Sequence, residues 1–352
     1  MLGFSVYLNE PLDQHHIAQM RRMRDAGFTG VFTSMHIPED DAQQYLVRVT
    51  ALGKVCQELG LQLTADVSAA GMQRMGVDIN DTAALTKLGL SALRIDDGLA
   101  MVAIAKLSRQ MPIALNASTI SPEDVQALHA AGADFNHLEA WHNYYPRPET
   151  GLDDDWVRAK NQWLKEQGFT TMAFVAGDTD FRGPLYAGLP TLEADRNRQP
   201  LAATLNLMQR LLVDKVYVGD SVLSSARCEQ FKQYFKHHLL QLSVHTTADY
   251  LIMRTWHNRP DVARDVVRLV EGRQQIHQVT PAAVAQPRSL GSVTVDNDRY
   301  GRYVGELQLM KVALPADDKV NVLGQIATSD LDLLPWIGSN QAVQLIREDD
   351  GD

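Results

Sequence analysis

Short apolar runs rich in β-branched residues alternate with longer stretches of helical period from the N-terminus to about residue 237. Gly3–Leu8, Gly30–Ser34, Gln62–Val67, Ala92–Asp96, Ile113–Asn116, Phe135–Trp141, Thr171–Val175 and Lys215–Val218 read as eight strands. Between them, Asp13–Ala26, Ala42–Leu59, Ser121–Ala131, Asp155–Gln167, Pro200–Leu212 and Ala226–His237 read as helices. Ser121-Pro122-Glu123-Asp124 is a helix start, and Gly27, Gly60, Gly132 and Gly168 are helix stops that lead into apolar strands. Repeated βα units imply parallel strands, and eight of them in roughly 235 residues predict an α/β chain with a closed (β/α)8 TIM barrel. An open doubly wound sheet is the alternative. No G-x-G-x-x-G follows the first strand to support a dinucleotide site there.

The pattern changes after residue 238, which divides the chain into a barrel over 1–238 and a small β-rich domain over 239–352. In the second part Gln241–His245, Ser292–Val295, Gly301–Leu309 and Val320–Ile326 read as strands and Asp261–Glu271 as a helix. Pro281–Pro287 reads as an exposed connector.

Composition narrows the function. Of the 352 residues, 43 are Asp or Glu and 33 are Lys or Arg, with the basic residues scattered, which argues against nucleic acid or an anionic membrane as partner. A phosphorylated small molecule stays allowed, because a few Arg side chains and backbone N–H groups set the field inside a cleft. Cys56 and Cys228 lie far apart without metal-ligand spacing, as expected of reduced packing residues in a cytosolic protein. The N-terminal residues lack a basic leader, and no apolar run reaches the roughly 18 residues of a membrane span, so a cytoplasmic location is expected.

In a TIM barrel the active site lies at the C-terminal ends of the strands. Those ends carry Ser34 and His36 with Glu39 beyond, Asp66, Asp96-Asp97, Asn116, Glu139 with His142 and Asn143, and Gly219-Asp220-Ser221. The loops add Tyr144, Tyr145, Arg147, Asp178, Arg182 and Glu193. Asp97 and Asp220 read equally well as helix caps, and His15, His16, His237 and His238 as surface residues of helices. No H-E-x-x-H, C-x-x-C or paired-His spacing occurs, so neither a metal nor a cofactor is called for. Several carboxylates in such a site suit general acid–base chemistry, of which glycoside hydrolysis is the commonest two-carboxylate case. Arg182-Gly183-Pro184 and Gly219-Asp220-Ser221 follow strands seven and eight, where many barrels hold phosphate, and Arg147 and Arg182 are candidate clamps.

The motifs Ser34-Met35-His36-Ile37-Pro38-Glu39, Leu93-Arg94-Ile95-Asp96, Leu115-Asn116-Ala117-Ser118, His142-Asn143-Tyr144-Tyr145-Pro146-Arg147-Pro148-Glu149-Thr150-Gly151-Leu152, Arg182-Gly183-Pro184-Leu185 and Gly188-Leu189-Pro190-Thr191-Leu192-Glu193 recur through the barrel segment. His257-Asn258-Arg259-Pro260-Asp261, Asp296-Asn297 and Tyr300-Gly301-Arg302-Tyr303-Val304-Gly305-Glu306 follow. With these the chain resembles, end to end, the MupG-type 6-phospho-N-acetylmuramidases of glycoside hydrolase family 170, formerly an outer-surface-protein family of unknown function. Tyr144, where Phe is more frequent, and Asp195-Arg196, where a basic pair is common, depart from the pattern.

The resemblance implies a TIM barrel followed by a cyclophilin-like β domain in a cytoplasmic enzyme of cell-wall recycling. Such an enzyme cleaves the phosphorylated amino-sugar disaccharide N-acetylmuramic acid 6-phosphate-β-1,4-N-acetylglucosamine from its non-reducing end. On that reading Arg147, Arg182 with Gly183, and Arg302 receive the anions. His36, Asn116, His142, Asn143, Tyr145 and Asp220 serve the sugar, and Asn297, Tyr300 and Arg302 close over the mouth. The acid and its partner are drawn from Asp66, Asp96, Glu139 and Glu193, with Asp66 and Glu139 preferred; alternatively the substrate's acetamido group is the nucleophile and Asp96 orients it. Two other classes compete: a sugar-phosphate aldolase or lyase, disfavoured because no predicted strand ends in Lys, and a noncatalytic sensor of muramyl phosphates.

Overall fold

The computed structural model describes residues 1–35, 42–252 and 254–348. Met1–Cys228 forms one compact unit and the chain from Glu229 a second.

In the first unit, β1 (Leu2–Ser5), β2 (Gly30–Ser34), β3 (Gln62–Ser68), β4 (Leu90–Asp97), β5 (Ile113–Asn116), β6 (Leu138–Trp141), β7 (Thr170–Val175) and β8 (Lys215–Val218) follow one another in a closed barrel. All are parallel, and β8 returns to β1 with Gly3 opposite Tyr217. This is the TIM barrel expected from the alternating pattern. The main outer helices are α1 (Gln14–Asp25), α2 (Ala42–Leu59), α3 (Ala69–Arg74), α4 (Thr82–Lys87), α5 (Met101–Ser108), α6 (Pro122–Ala130), α7 (Asp154–Glu166) and α8 (Pro200–Arg210), and α9 (Ser225–His237) begins in this unit and runs on into the second. Ser121 forms the expected capping box with Asp124, with Pro122 at the first helical turn. The predicted strand from Phe135 starts later, because Phe135–His137 forms a 3-10 turn in which Phe135 stacks on His129.

Phe32, Ala114, Trp141, Met172, Phe174 and Tyr217 fill the barrel interior. Tyr217 crosses toward β1 and β2, where Gly3 and Gly30 leave it room. A Cβ on either glycine would come within 2.3 or 2.1 Å of the Tyr217 side chain. At the N-terminal end of the strands, Glu139 near the start of β6 pairs with Lys215, the first residue of β8.

The second unit is built on a seven-stranded sheet of order β10-β15-β9-β14-β12-β13-β11. Its strands are β9 (Leu239–Thr246), β10 (Thr255–His257), β11 (Val266–Leu269), β12 (Ser292–Asp296), β13 (Leu307–Met310), β14 (Val320–Ile326) and β15 (Ala342–Arg347), and α10 (Val270–Gln275) follows β11. Two sequence expectations are corrected here. Asp261–Glu271 is not one helix: Val267 and Leu269 alternate inward and pair with β13, so sheet pairing overrides the charged, helix-like composition. Gly301–Leu309 is not one strand, because Asn297 caps a 3-10 segment over Asp298–Tyr303 that turns at Gly301 with φ 57°.

Candidate active site

Asp66 on β3 and Arg94 on β4 are direct cross-strand partners, so both point to the same face of the barrel wall. Arg94 Nη1 donates to Asp66 Oδ1 at 2.6 Å and lies 3.5 Å from Asp96 Oδ1, while Nη2 donates to Asn143 Oδ1 just beyond β6. The side chains of Arg94 and Asp66 are only 5% and 12% exposed; that of Asp96 is 39% exposed. Sharing one nitrogen places the two Oδ1 atoms at most about 6 Å apart. The strand geometry thus brings two carboxylates together over one buried cation at the C-terminal end of the barrel.

A second cation stands on the loop after β7. The Arg182 guanidinium lies 3.5 Å from the centroid of the Tyr7 ring, and its Nη1 donates to Tyr144 Oη at 3.2 Å. Tyr7 in turn donates to the Gly219 carbonyl at 2.7 Å, and burial raises its pKa well above the usual phenol value. The Arg182 backbone is held by Asp220, whose carboxylate accepts from the N–H groups of Arg182, Gly177 and Leu189. Asp220 is fully buried and organises this loop from within. A cavity of about 330 Å³ opens beside Tyr7, bounded by His15, His16, Gln19, Met20 and Ser221. It brings in the two histidines expected to be surface residues only.

Glu193 is a clasp. It accepts from Arg196 through two nitrogens, at 2.7 and 2.6 Å, and from the backbone N–H groups of Glu149 and Gly151. Those bonds hold its carboxyl at about 2, the reverse of what a proton donor needs. Arg196 also donates to the carbonyls of Tyr145, Arg147, Ala187 and Gly188, so the pair ties the β6 loop to the β7 loop.

The remaining expected residues divide by position. Glu139 lies at the opposite end of the barrel from the mouth, bonded to Lys215 and to the Trp141 indole. His142 points away from the barrel interior toward α7, where Nε2 meets Asn161, and burial pushes its pKa down to about 4. Asn143 joins the Arg94 group. Asn116 uses Oδ1 to accept from Ser118 N, and its Nδ2 has no partner among the described residues. Tyr145 is half-buried, and Arg147 is exposed with a guanidinium that has no partner among the described residues. Gly183 precedes a cis proline, Pro184. His36 and Glu39 lie outside the described residues. In the second unit Asn297 is buried and spends its amide on Asp318, Asn321 and Arg299, whereas Tyr300 is half-buried and Arg302 is exposed and stacked on Tyr303.

Arg94, Tyr7 and Arg196 were not among the residues singled out from sequence. Arg94 had a visible signal: an Arg inside the strand pattern Leu93-Arg94-Ile95-Asp96 has to be buried with a carboxylate partner. Tyr7 had none, since its contacts come from distant segments, whereas Arg196 stands three residues after its main partner Glu193.

A TIM barrel whose mouth pairs two carboxylates and carries an arginine on the β7 loop has the layout of a glycoside hydrolase, and the comparisons agree. The chain belongs to the 6-phospho-N-acetylmuramidase family: the family's N-terminal model matches residues 2–233 and its C-terminal model residues 235–346. Among solved structures, a conserved protein of unknown function from Enterococcus faecalis is 40% identical, with a TM-score of 0.92 over 99% of this chain and 96% of the other. An uncharacterized B. cereus protein shares the fold at 23% identity, with a TM-score of 0.74 over 98% and 99% of the two chains. No curated protein matches.

Proposed function

We propose that this chain is a cytoplasmic exo-glycosidase that hydrolyses N-acetylmuramic acid 6-phosphate-β-1,4-N-acetylglucosamine, releasing N-acetylglucosamine in the recycling of peptidoglycan. The observation that carries the reading is the carboxylate pair Asp66 and Asp96 on the one Arg94 guanidinium. Their separation of at most about 6 Å fits retaining glycosidases, whose carboxyl groups stand about 5–5.5 Å apart, and falls short of the roughly 6.5–9.5 Å of inverting ones. Asp66, buried against Arg94, attacks the anomeric carbon of the muramyl ring. Asp96, more exposed, gives a proton to the departing glycosidic oxygen. Asp96 then takes a proton from water as that water displaces Asp66, and the sugar leaves with its original configuration.

Arg182 is the proposed phosphate ligand. It is fixed on three sides by Tyr7, Tyr144 and Asp220, while its Nε and Nη2 have no partner among the described residues. A pre-oriented guanidinium loses little freedom when it takes two phosphate oxygens. The family description supports a phosphorylated muramyl substrate. Buried Cys56 and Cys228, neither of them in a disulfide, support a reducing compartment, and no described helix is long and apolar enough to cross a membrane. We assign the second unit a cyclophilin-like fold, a reading its seven-stranded sheet supports; fold alone confers no isomerase activity.

The test is an assay of purified protein on the muramic acid 6-phosphate disaccharide and on its unphosphorylated twin, following N-acetylglucosamine. Cleavage of the phosphorylated compound alone is expected. Binding without cleavage would replace the hydrolase by a sensor.

A further inference from the structure

The floor beneath the mouth carries an ion pair between buried Glu139 and half-buried Lys215 that the proposed chemistry does not use. Glu139 Oε1 accepts from Lys215 Nζ at 2.7 Å, and Oε2 accepts from Trp141 Nε1 at 2.7 Å. Stability does not explain such a pair, because apolar residues of similar volume usually serve a folded core as well. What an apolar residue would not supply is an acceptor for the Trp141 indole N–H.

That indole packs on Tyr217, Phe32 and Phe174, with ring centroids 5.1, 5.9 and 6.4 Å away. Phe32 and Phe174 in turn flank the Tyr144 ring, at 6.5 and 5.2 Å, and the Tyr144 hydroxyl receives Arg182. Two residues beyond Trp141, Asn143 receives Arg94, the arginine that holds Asp66 and Asp96. The indole is therefore linked to the phosphate side through Phe32 and Phe174 to Tyr144, and to the carboxylate side along the two-residue backbone step to Asn143.

We infer that Glu139 is a positioning residue, which acts through the Trp141 indole to hold the Tyr144–Arg182 and Asn143–Arg94 contacts in working geometry. The inference rests on the phosphomuramidase reading of that mouth. Its test compares two double variants of the full chain. Glu139→Gln with Lys215→Met keeps an acceptor for the indole and leaves no unpaired buried charge. Glu139→Met with Lys215→Met removes the acceptor at nearly constant volume.

The first is expected to keep kcat/KM within about threefold of the wild type, and the second to lose at least about tenfold while melting at the same temperature. Equal kcat/KM in the two double variants would overturn the inference. If the Met/Met variant fails to fold, Trp141→Phe keeps a ring and the ion pair while deleting the N–H donor. It is expected to lose the same tenfold, and wild-type kcat/KM in it would overturn the inference. Solvent exchange of the indole N–H, followed by NMR across the chain's five tryptophans, needs no turnover. Slow exchange of the Trp141 signal in the wild type and the Gln/Met variant, lost in the Met/Met variant, is expected; identical exchange in all three contradicts the role of Glu139. A wild type that hydrolyses nothing counts against the phosphomuramidase reading instead, and leaves the exchange comparison to decide the rest.

Discussion

Arg94 donates to Asp66 across the β3–β4 seam at 2.6 Å and keeps Asp96 within 3.5 Å of the same nitrogen. Two carboxylates this close repel each other, and a buried guanidinium between them offsets that repulsion while fixing their spacing. The two aspartates, alike in sequence, differ in exposure, and the proposed mechanism gives them different tasks: nucleophile for the buried Asp66, acid and base for the more exposed Asp96.

Asp66→Asn and Asp96→Asn are each expected to lower kcat by about 10²–10⁴-fold with the fold intact. Steady-state kinetics together with far-UV circular dichroism check this. Activity within a few-fold of the wild type in either variant would remove that residue from the pair.

Arg182→Ala is expected to raise KM for the phosphorylated disaccharide by about 10- to 100-fold, the loss of a charge-assisted pair. Tyr144→Phe, which deletes only the hydroxyl that receives Arg182, is expected to raise KM by about two- to tenfold. The comparison ligand is the unphosphorylated disaccharide, whose binding to the wild type and the variant is measured by calorimetry. A loss of equal size on both compounds would reject the phosphate role of Arg182.

Glu193 predicts an acid limit. Its carboxyl is held at about 2, mainly by Arg196, against an ordinary value of 4.5. A carboxyl with a depressed folded-state pKa contributes stability that is complete above 4.5 and disappears as pH falls toward 2. Because the side chain is about one-third exposed, solvent screening makes the contribution modest. The urea midpoint of the wild type is expected to exceed that of Glu193→Gln at pH 6, and the gap to narrow at pH 3. A gap that is constant with pH would contradict the clasp.

Asp296 predicts the opposite trend in the second unit. Burial, with Glu306 and Asp317 adding like charge, pushes its pKa up to about 7 from 3.8. The folded state then binds this proton more tightly, so the stabilisation is complete below 3.8 and is lost as pH rises through 7. Asp296→Asn is expected to unfold at higher urea than the wild type at pH 8, and at the same urea near pH 4. An advantage that persists at pH 4 would point to a cause other than ionisation.

The barrel was legible because every strand is a local apolar run and most of the helices between carry a capping residue or a terminal glycine. Six of the eight strand spans come within two residues of expectation at both ends; β1 ends earlier, and β6 starts later at Leu138 because Phe135 turns onto His129. The second unit was less legible. Its strands pair over long separations, as β15 does with β9, so the composition of Asp261–Glu271 misled where pairing with β13 decides. In the mouth, residue type marked Asp66, Asp96, Asn143 and Arg182 as candidates, but the direction of a side chain depends on its strand's register. Glu139 and His142 illustrate this. Both belong to one polar-rich stretch with Asn143, yet Glu139 lies four positions before Asn143 and so at the other end of the barrel, and His142 falls on the opposite face of the strand.

The most direct test is the anomeric configuration in which the muramyl product first appears. Hydrolysis of the phosphorylated disaccharide, followed by proton NMR from the first seconds, is predicted to show β-N-acetylmuramic acid 6-phosphate appearing first, with the α anomer growing in later by mutarotation. Initial appearance of the α anomer would mean inversion, and would contradict a mechanism built on Asp66 and Asp96 sharing one guanidinium.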